Sequence, residues 1–167
     1  CRVFALIDPA IVVDVQKAEG SGVEKGDIIA TISGPAASIL TGERVALNFL
    51  QRLSGIATRT ALCVKAVEGT GAKITDTRKT TPGLRVLEKY AVRTGGGSNH
   101  RFNLADGVLI KDNHISAAGG IRPAVEAARR LAPHTLKIEV EVENMAMLQE
   151  ALDCKADIIM LDNMTLE

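Results

Sequence analysis

Residues 137–143 read KIEVEVE, and this strict alternation constrains the fold more than any other stretch of the chain. In an extended strand, Ile138, Val140 and Val142 share one face while Lys137, Glu139, Glu141 and Glu143 share the other. A central strand of an open doubly wound sheet is apolar on both faces, so a whole face of charge fits a barrel interior that is polar and tied to an active site. Around it, residues 73–77, 107–111, 136–143 and 157–162 read as strands, and residues 82–94, 123–131 and 144–153 as helices. Pro82 and Pro123 sit where a first helical turn tolerates a missing N–H, and Gly95 sits where a helix ends. Strands separated by helices predict parallel βα units with right-handed crossovers. The clear strands are too few to close a barrel, so further strands are expected beyond Glu167. A chain that begins at Cys1 and stops just after a strand reads as a piece of something longer.

The first third is different. Ile11 to Val15 is β-branched and strand-like, residues 21–27 (SGVEKGD) are turn chemistry, and residues 28–33 form a second strand closed by Gly34 and Pro35. A long helical stretch starts near Ala36, broken or bent near Gly42. Within it Val45, Phe49, Leu53, Ile56 and Thr60 recur at steps of three and four, leaving Glu43, Arg44, Arg52 and Arg59 on the surface. Gly55 in that pattern suggests close packing or a kink.

Composition narrows the function. With 46% hydrophobic and 24% charged residues the chain has the means for a core and is not a disordered segment. Lys plus Arg and Asp plus Glu both total 20, so no global field steers it to nucleic acid or membrane. Aromatics are only 2%, too few for a base-stacking platform. No apolar run approaches the ~20 residues that span a bilayer, and no signal-peptide pattern opens the chain. Cys1, Cys63 and Cys154 are far apart and form no CxxC pair, which favours buried free thiols in a reducing cytoplasm.

In this neutral protein the charges gather at strand ends, where an α/β barrel carries its catalytic residues. Residues 75–85, TDTRKTTPGLR, put Arg78 and Lys79 between a strand and the free N–H groups of a helix start, a combination suited to an anion. Residues 95–101, GGGSNHR, bring His100 and Arg101 after a triple glycine that lets backbone approach a ligand closely. Lys111, Glu141, Glu143 and Asp162 end the later strands. Cations suit carboxylate and phosphate groups, and carboxylates suit ribose hydroxyls or a magnesium ion escorting phosphate. Taken singly, each of these charges is ordinary solvated surface. Lys137 and Glu139 are equally readable as structural partners, His114 as a loop cap and His134 as a surface residue. The functional reading rests on coincidence: every strand after Gly71 ends in a charge.

The motifs GERVALN (residues 42–48), TRKTTPGLR (77–85), GGGSNHR (95–101), LIKDNHI (109–115), EVEVEN (139–144) and IIMLDN (158–163) together resemble quinolinate phosphoribosyltransferase, the family of the nicotinate-nucleotide pyrophosphorylases of NAD biosynthesis. The resemblance implies an incomplete, seven-stranded α/β barrel preceded by an N-terminal α/β sandwich domain. Residues 1–50 would be part of the sandwich and residues 51–167 the first part of the barrel. It implies a reaction: quinolinate and phosphoribosyl pyrophosphate give nicotinate mononucleotide, pyrophosphate and carbon dioxide with magnesium, in a cytoplasmic enzyme that is a homodimer or higher with shared active sites. Carried onto this chain, Arg78, His100, Arg101 and Lys111 would bind the two carboxylates, with Arg44 reaching in from the neighbouring subunit. Lys79 would contact phosphate, and Glu141 and Asp162 would face the ribose and its magnesium pyrophosphate. Lys79, Glu141 and Asp162 would carry the chemistry. The glycine-rich turns that hold the 5′-phosphate in this family have no counterpart before Glu167.

Two rivals stand beside this reading. A nicotinate phosphoribosyltransferase or a molybdenum-associated relative shares the fold, but Arg78 and Arg101 with Lys111 favour a dicarboxylate. A biotinyl or lipoyl carrier domain is suggested by VEKGDII (residues 23–29), and the helical stretch after Pro35 argues against it.

Overall fold

The structure, a computed structural model, describes residues 2–165 of the chain. It is a mixed α/β protein that divides into two compact units, residues 1–100 and 101–167.

The first unit begins with a short helix, α1 (Arg2–Ile7), which the sequence reading did not anticipate. The strands β1 (Val12–Val15) and β2 (Ala30–Ser33) follow and pair antiparallel, Val12 opposite Ser33 and Val15 opposite Ala30. The long helix α2 (Ala36–Ala66) then runs unbroken through Gly42. The break expected there is instead a contact: a Cβ on Gly42 would lie 2.6 Å from Ile7 Cδ1 and 3.1 Å from Phe4 Cδ1, so a larger residue would require the α1 side chains to shift. Gly55, by contrast, meets nothing within 4 Å among the described residues, so the close packing expected there is not found. Along the apolar stripe of α2, Thr60 is buried and Leu53 and Ile56 are half-buried, whereas Val45 and Phe49 are exposed.

The expected strand at residues 73–77 reduces to one parallel bridge, Thr75 with Ser98. Ser98 N–H donates to Ile74 O at 2.8 Å and Asp76 N–H to Ser98 O at 3.2 Å; the partner is a loop, so no ladder propagates. The helix expected from Pro82 starts later, as α3 (Arg85–Thr94). Pro82 and Gly83 form a turn closed by Leu84 N–H donating to Thr81 O at 3.0 Å, and Gly83, at φ 76°, lies outside helical space. The GGG run that follows α3 is packed on α2. A Cβ on Gly95 would stand 2.3 Å from the Ala57 carbonyl oxygen, and one on Gly97 would stand 2.8 Å from Thr60 Cγ2. The close approach that these glycines permit is to a neighbouring helix.

The second unit is a parallel sheet in the order β3-β4-β5, with β3 (Val108–Ile110), β4 (Ile138–Val142) and β5 (Ile158–Leu161). The alternation of β4 is realised: Ile138, Val140 and Val142 are buried with Ile110 against Ile121, Ala124 and Val125 of α5 (Ile121–Leu131) and Ala151 of α6 (Met145–Asp153). Cys154 joins this core as a free thiol and Cys63 is half-buried, while Cys1 lies outside the described residues. Helix α5 starts two residues before Pro123, whose missing N–H still falls among the donors that a first turn leaves unbonded. Glu150 on α6 accepts from Arg122 N–H at 3.0 Å, and Asn144 caps α6 by accepting from Met147 N–H at 3.0 Å. A further short helix, α4 (Asp112–Ala118), follows β3, and His114 caps it: its Nδ1 accepts from Lys111 N–H at 3.0 Å. His134 is exposed, as expected.

Candidate active site

In the first unit the candidate residues are Arg44 on α2 and, in the later loops, Arg78, Lys79 and His100. The backbone amides expected to bind an anion there are otherwise engaged. Lys79 N–H donates to Thr77 Oγ1 at 3.0 Å and Thr80 N–H to Arg78 O at 2.9 Å. Thr81 N–H donates to Glu88 Oε2 at 3.1 Å. The cations themselves are differently placed. Lys79 is exposed, and Arg78 is half-buried with its Nε the one buried side-chain nitrogen or oxygen lacking a hydrogen-bond partner among the described residues. Removing a guanidinium nitrogen from water without an acceptor is costly, and an arriving carboxylate would supply that acceptor.

The loop carrying Arg78 and Lys79 is anchored by groups the sequence reading missed. Arg52 of α2 donates through Nε to Glu88 Oε1 at 3.0 Å, and its Nη2 reaches the same oxygen and Thr81 Oγ1. Arg52 is therefore a bridge between two helices and the loop, not a merely solvated charge. Burial raises the Glu88 carboxyl, but the Arg52 guanidinium and the Thr81 hydroxyl and amide outweigh it and hold the group below its ordinary range. A second anchor is the ion pair of Asp76 with Lys89, whose side chain is 1% exposed. Asp76 Oδ1 accepts from the Lys89 ammonium and, at 2.9 Å, from His100 N–H; Oδ2 accepts from Asn99 Nδ2.

In the second unit Arg101, Lys111, Glu141 and Asp162 are the candidates. Arg101 Nη1 donates to Gly107 O at 2.9 Å, tying the loop to the start of β3. Lys111 follows β3 one step beyond the Ile110–Val140 register pair, which sets it beside Glu141, and the two side chains form an ion pair. Glu141 pairs in register with Met160, two residues before Asp162, so Asp162 shares its face of the sheet. Asp162 N–H continues the ladder by donating to Val142 O at 2.9 Å. One face of this small sheet thus makes the core and the other carries a cation and two carboxylates at its carboxyl edge. Glu139, further back on the charged face, is 7% exposed. Arg44 lies exposed near the start of α2.

These features define an α/β protein that collects charge at the carboxyl edge of a parallel sheet and holds a buried arginine nitrogen without a hydrogen-bond partner among the described residues. Residues 1–54 match the family model of the quinolinate phosphoribosyl transferase N-terminal domain, and residues 56–167 match that of its C-terminal domain. The chain is 54% identical over 160 residues to the probable nicotinate-nucleotide pyrophosphorylase [carboxylating] of Bacillus subtilis, covering 96% of this chain and 55% of that protein. It is 47% identical over 147 residues to the human nicotinate-nucleotide pyrophosphorylase [carboxylating], covering 87% and 50%. The crystal structure of NadC from Streptococcus pyogenes superposes with a TM-score of 0.93 at 52% identity, covering 99% of this chain and 59% of that one. The chain belongs to the quinolinate phosphoribosyl transferase family, and it spans a little over half the length of these bacterial relatives.

Proposed function

We propose that the protein transfers phosphoribosyl from phosphoribosyl pyrophosphate to quinolinate with decarboxylation, giving nicotinate mononucleotide, pyrophosphate and carbon dioxide in NAD biosynthesis. In the same reading residues 1–50 are part of an α/β sandwich domain, and residues 51–167 are the first part of an incomplete seven-stranded α/β barrel. Arg78, His100, Arg101 and Lys111 bind the two carboxylates of quinolinate, and Lys79 takes phosphate of the donor. Arg44 serves the site of a neighbouring subunit in a homodimer or larger assembly. Its exposure, beside the uncovered Val45 and Phe49 on α2, supports that role. A cytoplasmic setting accords with the free thiols of Cys63 and Cys154. No helix among the described residues is long and apolar enough to cross a membrane.

The observation that carries the reading is the buried, unpartnered Nε of Arg78 in a member of this family. Breaking the bond to pyrophosphate builds positive charge at the ribose C1, which Glu141 and Asp162 stabilise, while Lys79 takes charge on the leaving group. Once the ring nitrogen of quinolinate is alkylated and positive, its 2-carboxylate leaves as carbon dioxide, and the electron pair left on C2, stabilised by the adjacent cationic nitrogen, takes a proton from water. A cationic pocket that holds the ring in place suffices. Among the described residues no three His, Cys, Asp or Glu side chains gather as a metal cage. Glu141 and Asp162 would face a magnesium ion carried by the donor's phosphates. The chemistry it would supply is charge neutralisation on the departing pyrophosphate. The test is release of carbon dioxide from quinolinate labelled in its 2-carboxylate by the full-length protein. Release that requires phosphoribosyl pyrophosphate and magnesium supports the reading, and release without the donor, or none with it, contradicts it.

A further inference from the structure

Lys89 is the largest fully buried side chain among the described residues, and nothing in the proposed chemistry uses it. Lysine is almost never fully buried unless it is paired, and replacing a buried ion pair by apolar side chains often leaves stability unchanged or improved. Its presence therefore calls for another reason. The two charges take the peptides on either side of His100 between them: Asp76 Oδ1 accepts from His100 N–H at 2.9 Å, and Lys89 Nζ donates to His100 O at 3.0 Å. Asn99 completes the arrangement, its Nδ2 donating both to Asp76 Oδ2 and to Lys89 O. Asp76 also stands two residues before Arg78, so the same carboxylate ties the segment that carries Arg78 and Lys79 to the one that carries His100.

We propose that Asp76 and Lys89 are positioning residues that clamp both polar groups of the His100 backbone and so fix the His100 imidazole relative to Arg78. The inference rests on the reading that His100 binds a carboxylate of quinolinate. The clamp touches no substrate. It acts by removing the freedom of the loop after the GGG run, because a small displacement of a binding group is expensive in catalysis.

The test is steady-state kinetics of the full-length protein carrying Asp76→Asn with Lys89→Met, which removes both charges and leaves no unpaired one. KM for quinolinate should rise about tenfold or more while KM for phosphoribosyl pyrophosphate moves less than about twofold. A role in stability alone would lower the melting temperature and leave both constants of the folded enzyme unchanged. That result overturns the proposal. Asn99→Ala, at an exposed residue, is measured alongside: a rise in the quinolinate KM alone supports the clamp, and an unchanged value overturns it if the double variant does not fold. His100→Ala separates the two levels. If it leaves the quinolinate KM unchanged, the assignment of His100 fails and the clamp's purpose fails with it. If it raises that KM while the clamp variants do not, only the clamp is wrong.

Discussion

At the scale of single residues, the ion pair of Lys111 with Glu141 joins two side chains that the proposed chemistry assigns to different substrates. In the structure the Lys111 ammonium is committed to Glu141, whereas the proposed reaction asks it to meet a carboxylate of quinolinate. Glu141→Gln should free it. Lys111 is 40% exposed, and such pairs are worth up to about 1 kcal/mol, so quinolinate should bind up to about fivefold more tightly while turnover falls. Calorimetry and kinetics on the same variant check both halves, and weaker quinolinate binding would contradict the arrangement. Asp162→Asn keeps shape and removes charge, so quinolinate binding should survive while turnover drops by about 10²–10³-fold, as for loss of a single preorganised transition-state partner. Near-normal turnover with lost quinolinate binding would reverse the two roles. Glu141 was legible from the sequence because strand alternation is a local, two-residue pattern, and Lys111 and Asp162 because each ends a short apolar run. Lys89 and Glu88 were not, since adjacent charges on a helix look solvated. Their partners, Asp76 on one side and Arg52 on the other, are distant in sequence.

At the scale of elements, helix contacts set by single glycines and one ion bridge decide where the loops go. Gly95→Ala would drive a methyl group into the Ala57 carbonyl, whereas the same change at Gly55 meets open space on α2. Thermal melts should show Gly95→Ala destabilised by about 1–3 kcal/mol or more through overpacking, and Gly55→Ala stabilised by up to about 1 kcal/mol through helix propensity. Equal melting points would contradict the packing of α2 against the GGG run. The Arg52–Glu88–Thr81 bridge should make stability depend on pH. Because the folded state holds the Glu88 carboxyl below its ordinary value of 4.5, its contribution is full above that value and is lost as pH falls through the lower, folded value. Glu88→Gln should therefore be less stable than wild type by about 1–3 kcal/mol near neutrality, and the gap should close in acid. A gap independent of pH would assign the loss to shape, not charge. Helices with clear stops were readable in advance, as at α6 and the end of α3. The segment at residues 73–77 was not, because a strand exists only where a partner supplies a ladder, and here the partner offers one residue.

At the scale of the whole molecule, the proposed reaction divides its binding groups among subunits as well as residues. Arg44 belongs to the first half of α2 and not to the end of a strand, and it is exposed. If it completes a neighbour's site, mixing inactive Arg44→Ala and inactive Lys111→Ala full-length subunits should restore activity, since some mixed sites draw intact residues from both chains. Hybrids that form without activity would place Arg44 in its own chain's site or in none. The family itself was legible from the ordered motifs, and the parallel sheet from the alternation of strand and helix. What the motifs could not supply was the interior wiring, because ion pairs such as Asp76 with Lys89 depend on three-dimensional proximity and leave no periodic trace. The central claim is that these cations read a dicarboxylate. Calorimetry of the full-length protein with quinolinate and with nicotinate tests it most directly. Nicotinate would leave a desolvated cation unmatched, at a cost of roughly 2–5 kcal/mol, so quinolinate should bind about thirtyfold to several thousandfold more tightly. Equal affinity for the two acids would contradict the account.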